Sequence, residues 1–108
     1  MRKEYKIISE KLMSHMNIVK FHVKPEFRED FLKTFEEANL NDGQISAKLV
    51  QIDDNKFCSM GLWDSKDSMD KAMPDMIGFL DTIRHMLEEI SEELGVTDPA
   101  SGPLIMEH

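Results

Sequence analysis

The chain has 108 residues, of which 41% are hydrophobic and 31% charged, and its formal net charge is −8. This length fits one domain with a single core. The acidic balance argues against nucleic acid and against an anionic membrane surface as partners, because both require a basic surface. No apolar run approaches the roughly 18 residues needed to span a bilayer, and the N-terminus lacks a secretory signal. We therefore expect a cytoplasmic protein that binds a small molecule or another protein.

Residues 1–15 are expected to form an extension that is separate from a domain over residues 16–108. The extension is mostly polar, with Tyr5, Ile8 and Leu12 at helical spacing. Two alternatives follow from this pattern: a short amphipathic helix that docks on a partner, or a poorly ordered segment. Whether Met16 is the natural start of the chain stays open.

The first strong signals of regular structure begin at residue 17. Residues 18–24 alternate, with Val19, Phe21 and Val23 on one face, which predicts a half-buried strand. Pro25 suits the first turn of a helix, where its missing N–H does no harm. The following segment, to about residue 38, places apolar side chains at spacings of three and four, which predicts an amphipathic helix packed on a sheet.

A turn at residues 41–43 leads into two further predicted strands, over residues 45–52 and 57–63. The polar segment 53–56 between them predicts a hairpin turn. On the third strand Trp63 shares one face with Phe57, while apolar side chains also occupy the other face. Because both faces are apolar, we expect this strand to be covered on both sides.

Two helices and a fourth strand are expected in the remainder of the chain. Ser65 can cap a short helix over residues 66–73, and Pro74 is expected to interrupt it. A longer helix is then predicted to run to about residue 94 and to end at Gly95. Its apolar stripe is Met76, Leu80, Ile83, Leu87, Ile90 and Leu94. Residues 96–103 are predicted to be loop, and residues 104–107 a short edge strand.

The order β-α-β-β-α-β predicts an α+β, ferredoxin-like fold, an antiparallel sheet with both helices on one face. If Trp63 points toward the helices, the other face is left uncovered. That face carries Ile18, Cys58, Met60 and Leu62 together with Lys20, His22 and Lys24. Burial of apolar area contributes roughly 25 cal/mol per Å², so we expect a homodimer that pairs through this sheet face. The alternative is a monomer whose open face is tolerated or covered by residues 1–15.

Two segments resemble the antibiotic biosynthesis monooxygenase-like family. The first is the run 18–25, Ile-Val-Lys-Phe-His-Val-Lys-Pro, followed by an acidic, Phe-rich helix. The second is the strand ending Gly-Leu-Trp-Asp-Ser at 61–65, followed by Lys-Asp-Ser-Met-Asp at 66–70. The resemblance covers about residues 17–107, and it implies the dimeric α+β barrel superfamily. Members of the family include cofactor-free monooxygenases acting on quinols, haem-degrading enzymes and many proteins without known activity.

The resemblance also implies a site between the helices and the sheet. In the cofactor-free enzymes the substrate's own anion reacts with dioxygen in a dry pocket. The resemblance carries over only Trp63, which would form part of the pocket wall. From the sequence itself we expect Phe21, Met76 and Leu80 to line the pocket with it, around a small hydrophobic or aromatic ligand. The alternative for Trp63 is a core aromatic whose indole N–H is satisfied. His85 is the candidate base, because an imidazole suits proton transfer at neutral pH; the alternative is a histidine on the shoulder of the helix.

Haem is not expected. The family's haem-degrading members carry an Asn on the inward face of strand one, where this chain has Val19, Phe21 and Val23. They also carry a His on the helix about ten residues after the tryptophan, where Ala72 and Met73 stand. The resemblance therefore implies a protein without a cofactor.

No metal site is expected either, since the acidic segment 53–55 lacks the spacing of a calcium loop and the single cysteine, Cys58, excludes a cysteine-based zinc site. Two functions stay open. One is a cofactor-independent monooxygenase acting on an aromatic, quinol-like substrate, and the other is a non-catalytic ligand-binding or protein-interaction domain of the same fold.

Overall fold

The computed structural model describes residues 13–108, which form a four-stranded antiparallel sheet with two helices. In chain order the elements are β1 (His15–His22), α1 (Arg28–Glu37), β2 (Gln44–Asp53), β3 (Lys56–Trp63), α2 (Lys66–Ile83) and β4 (Thr97–Pro103). The strand order in the sheet is β2-β3-β1-β4. The predicted ferredoxin-like α+β fold is confirmed. Within this described part no helix is long and apolar enough to cross a membrane.

The two central strands, β1 and β3, divide their side chains between two different environments. On the helix side Phe21 lies opposite Phe57 and both are buried. On the other side Ile18 lies opposite Met60, and Ile18 remains 37% exposed. Because successive side chains of a strand point to opposite faces, each central strand contributes both to the core and to the helix-free face.

The main core lies between this sheet and the helices. Its buried residues are Phe21, Val23, Phe31, Phe57, Ile83, Met86 and Leu87. Phe31 of α1 packs between the two central strands, with ring centroids 5.5 Å from Phe21 and 5.2 Å from Phe57. A second, smaller cluster joins Trp63 to Met69 and Ala72 of α2. The second cluster lies at the Trp63 end of the sheet.

Helix α2 corrects the prediction of two helices separated by Pro74. Ser65 caps it as predicted, since its Oγ accepts a hydrogen bond of 3.1 Å from the N–H of Ser68. The helix then continues through Pro74. Proline removes the hydrogen bond to the carbonyl four residues earlier, here that of Asp70. Both Asp70 and Pro74 are exposed, so water can reach the carbonyl that proline leaves unpaired.

The predicted extension of this helix to Leu94 is wrong. The helix ends at Ile83, and Arg84–Met86 form a 3₁₀ turn. The chain then pairs with the end of β1, where the N–H of Glu88 donates to the carbonyl of His22 at 2.7 Å. Leu87 is therefore buried as a bridge partner of Val23 rather than as part of a helix. Leu94, the last residue of the predicted stripe, is 44% exposed.

The fourth strand is also displaced from its predicted position. It occupies Thr97–Pro103, which was expected to be loop, while Leu104 and the residues after it lie outside the strand. Among the described strands, β4 lies at an edge of the sheet and pairs with β1. Pro99 and Pro103 are tolerated because a proline can face the unpaired side of an edge strand. The prolines and the glycine of this segment indicated a loop, whereas pairing with β1 makes it a strand.

Strand β1 begins at His15, three residues earlier than the predicted strand. The predicted extension over residues 1–15 therefore overlaps the sheet at its last residue, and its residues 1–12 lie outside the described part of the chain. The earlier start adds Asn17 and His15 to the inward series of Val19 and Phe21. The expectation that this face carries no Asn was wrong, so only Ala72 and Met73 still distinguish the chain from the haem-degrading pattern.

Two isoleucines of α2 that differ in burial allow the packing of the core to be tested. Ile83 is fully buried in the main core, whereas Ile77 on the same helix is 48% exposed. We expect Ile83→Ala to lower the free energy of unfolding by roughly 2–5 kcal/mol, and Ile77→Ala to change it by no more than about 0.5 kcal/mol. Urea denaturation of both variants measures the difference. Equal losses in the two variants would contradict this packing.

Candidate functional site

A polar pair occupies the end of the sheet where β3 enters α2. Trp63, the last residue of β3, has no exposed surface, and its Nε1–H donates a hydrogen bond of 2.7 Å to Oδ1 of Asn17. Asn17 lies on the inward face of β1, opposite Gly61 of β3. The bond therefore crosses between the two central strands on the side that faces the helices.

Gly61 provides the space in which this pair forms. A Cβ added to Gly61 would collide with Oδ1 of Asn17, and it would lie 3.1 Å from Nε1 of Trp63 and 3.2 Å from Nε2 of Gln44. The three polar side chains thus converge over one glycine. A larger residue at 61 would displace the Asn17 side chain from the indole.

The hydrogen bonds fix which end of each amide faces the site. An indole N–H can only donate, so Asn17 must present its oxygen to Trp63. Oε1 of Gln44 accepts from the N–H and from Nδ2 of Asn41 at 3.0 and 3.1 Å. Nδ2 of Asn17 and Nε2 of Gln44 are left as donors. Every fully buried side-chain nitrogen or oxygen in residues 13–108 has a hydrogen-bond partner, so these two donors are not fully buried.

The wall of the site on the helix side is apolar. Met69 and Ala72 of α2 are 4% and 6% exposed and pack with Trp63, and the partly buried Met76 packs against the same cluster. Methionine is flexible enough to rearrange around a ligand. The arrangement therefore combines fixed donors on the sheet with a deformable wall on the helix.

The structure places the sequence-predicted site residues in more than one environment. Trp63 and Met76 share a cluster, whereas Phe21 and Leu80 belong to the main core. His85 is exposed in the 3₁₀ turn, and its ring lies edge-on to Phe27 with centroids 5.2 Å apart. The role of His85 as a base stays a prediction, and the structure does not place it in the Trp63 cluster.

Asn17, Gln44 and His15 were not predicted as site residues, and two of them, Asn17 and His15, lie on β1. Both continue the inward alternation of Val19 and Phe21 toward the N-terminus, and His15 is only 4% exposed. The strand's period of two was the signal that could have identified them. It was overlooked because residues 15–17 carry no second apolar side chain on that face to extend the pattern.

Two depressions of the surface lie away from this site. One, of about 290 Å³, is lined by His22, Val23, Lys56, Glu88 and the 53–55 turn. Another lies along α1 among Leu32 and charged residues. Neither borders Trp63. In residues 13–108 no group of three or more His, Cys, Asp or Glu side chains is placed to hold a metal ion.

Comparison with known proteins gives similarity at the level of structure. No protein-family model and no curated protein matches the sequence. A protein from Chloroflexus aurantiacus that carries the provisional name of antibiotic biosynthesis monooxygenase superposes with a TM-score of 0.68 at 17% identity, over 88% of this chain and 96% of that one. SnoaB from Streptomyces nogalater, a cofactor-independent oxygenase, gives 0.61 at 16% identity, over 87% and 95% of the two chains.

A dimeric ferredoxin-like protein from an uncultured marine organism gives a TM-score of 0.66 at 14% identity, over 93% of this chain and 95% of that one. At these identities the similarity shows the fold and not the activity. The chain therefore has the ferredoxin-like α+β fold found in antibiotic biosynthesis monooxygenase-like proteins and their dimeric α+β barrel relatives.

Proposed function

We propose that this protein is a homodimeric α+β barrel that binds a small aromatic, quinol-like molecule beside Trp63 and oxidises it as a cofactor-independent monooxygenase. The observation that carries the proposal is the 2.7 Å bond from the Trp63 indole to Asn17. Because the amide oxygen of Asn17 accepts this bond, its Nδ2 hydrogens point elsewhere and are available as donors at the site. The fold, shared with the cofactor-independent oxygenase SnoaB, supports the same class of activity.

The donors and the wall together suit a hydroxylated aromatic ring. Nδ2 of Asn17 and Nε2 of Gln44 can donate to a ring oxygen, and a negatively charged oxygen gains more from such bonds than a neutral one. Met69, Met76 and Ala72 would contact the ring itself. Trp63 has no exposed surface, so a ligand reaches the indole only if side chains that pack around it, such as the partly buried Met76, move aside.

The chemistry balances without an added reductant. A ring carbon that carries two hydrogens in its keto tautomer gains one oxygen atom of O₂ and becomes a carbonyl. The other oxygen atom takes the two hydrogens and leaves as water, so the substrate supplies all four electrons. The amide donors of Asn17 and Gln44 stabilise the substrate oxyanion, whose formation precedes its reaction with O₂.

The homodimer is proposed from the helix-free face of the sheet. Ile18 is 37% exposed there and Met60 and Leu62 are partly exposed. A second copy packed face to face would bury these side chains at roughly 25 cal/mol per Å². The dimeric state of the similar marine protein supports this arrangement.

A second candidate function is non-catalytic binding of a ligand or protein partner. The observation that favours it is the close packing around Trp63, which has no exposed surface and packs with Met69 and Ala72. A site of this kind can accept a ligand by local rearrangement without having a group that drives the reaction.

Activity separates the two functions. We expect oxygen uptake with members of a panel of hydroxylated naphthalenes and anthracenes, measured with an oxygen electrode. Asn17→Leu removes the donor, so kcat/KM should fall by about 10²–10³-fold. Asn39→Leu, in the exposed loop after α1, should leave the rate unchanged.

Trp63 is the only tryptophan, so its fluorescence reports binding in the same samples. Saturable quenching without oxygen uptake would support the non-catalytic function. Neither quenching nor uptake with any compound in the panel would refute the proposed site.

The proposed dimer is tested by introducing a glutamate on the helix-free face of the sheet and, as a control, on helix α2. Met60→Glu places a carboxylate on the helix-free face, and we expect it to convert a dimer of twice the 12.5 kDa chain mass into single chains. Met73→Glu makes the same change on α2, where Met73 is 41% exposed, and should leave the dimer intact. Sedimentation equilibrium measures both variants. A wild-type protein that sediments as single chains at high concentration would rule out the pairing.

A further inference from the structure

We infer that His15 is the group that takes the proton from the hydroxyl of the aromatic substrate. This inference rests on the proposed function and adds a catalytic base to the site. It replaces neither Asn17 nor Trp63, whose roles are to bind and orient the substrate.

His15 lies beside Trp63 on the inward face of the sheet. It is the first residue of β1, and in the strand register it is directly opposite Trp63 of β3. Directly opposed residues of antiparallel strands have Cβ atoms about 4.5–5.5 Å apart on the same face. Asn17, two residues along β1, shares that face and bonds to the same indole. The three side chains are therefore immediate neighbours.

His15 is buried without a hydrogen-bond partner for its ring among residues 13–108. It is the one buried polar or charged residue in residues 13–108, with 4% of its surface exposed. None of the hydrogen bonds among these residues involves its ring. Its neighbours cannot supply one, since the Trp63 indole N–H is committed to Asn17 and Pro103, its partner on β4, has no N–H.

A largely buried imidazole without a protein partner is less favourable than a satisfied one, and an apolar side chain in the same place would avoid that penalty. Fully buried nitrogen and oxygen atoms in residues 13–108 all have partners. The ring nitrogens of His15 are therefore not fully buried, and they lie on the face of the sheet that also carries Trp63 and Asn17. This is the position that a substrate hydroxyl held by Asn17 would adjoin.

The proton transfer is balanced. A ring nitrogen of neutral His15 accepts the proton as the O–H bond of the substrate breaks and an N–H bond forms. The products are an imidazolium and an aromatic oxyanion, and the oxyanion receives hydrogen bonds from the donors of Asn17 and Gln44. The proton then passes to the oxygen atom that leaves as water. His85 and His22 are less suitable, since His85 is exposed and His22 lies on the helix-free face.

The test uses 1-naphthol, a hydroxylated naphthalene whose anion absorbs at longer wavelength than its neutral form. Quenching of Trp63 fluorescence measures binding, and the difference spectrum at neutral pH measures ionisation of the bound molecule. We expect the wild-type protein to bind 1-naphthol and to show the naphtholate band. His15→Gln should retain the quenching and lose the band, whereas His85→Gln should retain both.

Because His15→Gln could disturb β1, a second measurement uses the wild-type protein alone. In ¹⁵N-histidine NMR, one of the four histidines should become an imidazolium when 1-naphthol is added. Its signal is assigned as His15 by its absence from the variant, or by selective labelling if the variant does not fold. Naphthol that binds as the neutral form, or a naphtholate band that persists in His15→Gln, would overturn the role of His15 alone. An absence of quenching in the wild-type protein would instead overturn the proposed site and this inference with it.

Discussion

The two central strands impose the main constraint on this structure, because their side chains must alternate between two unlike surroundings. Two helices can cover only one face of a four-stranded sheet. On that face β1 presents Phe21 to the core and Asn17 to Trp63. On the opposite face the same strand presents Ile18. The proposed dimer surface and the proposed site are thus products of one strand, and a shift of its register by one residue would exchange them.

Within that framework, the bond between Asn17 and Trp63 gives the site its chemical character. Burial of an indole requires an acceptor for its N–H, and an amide that accepts through its oxygen necessarily presents its hydrogens elsewhere. Gly61 makes room for this geometry. A structural need of the core, the satisfaction of one buried donor, therefore produces a second donor of defined direction at the proposed site. The apolar side chains of α2 that pack against Trp63 form no hydrogen bonds that would compete with those of Asn17.

Local patterns predicted much of the fold, and the errors have identifiable physical causes. The alternation in β1 and the apolar stripe of α1 predicted those two elements, although β1 begins three residues earlier than its pattern indicated. The period that continues through Leu87 to Leu94 indicated helix, yet backbone bonds to the end of β1 redirect the chain after Ile83. In β4 the prolines indicated loop, because sequence alone does not reveal that the segment lies at an edge beside β1.

The candidate site was only partly predictable for a related reason. Trp63 was identified by resemblance and Met76 by periodicity. Asn17 and His15 are isolated polar residues at the start of a strand, and their importance depends on the register that brings them against β3. For His85 the opposite holds. Its residue type suits a base, but α2 ends at Ile83 and His85 lies exposed in the turn that follows. Residue type indicates which chemistry is possible, whereas the tertiary register determines which groups meet.

Hydrogen exchange at the single indole N–H tests the central interaction most directly. The protein has one tryptophan, so one indole resonance reports the bond to Asn17. We expect this hydrogen to exchange with solvent much more slowly than in free tryptophan, and its resonance to shift when Asn17 is replaced by leucine. An indole hydrogen that exchanges as fast as in the free amino acid, with a resonance indifferent to Asn17→Leu, would contradict the arrangement on which the site depends.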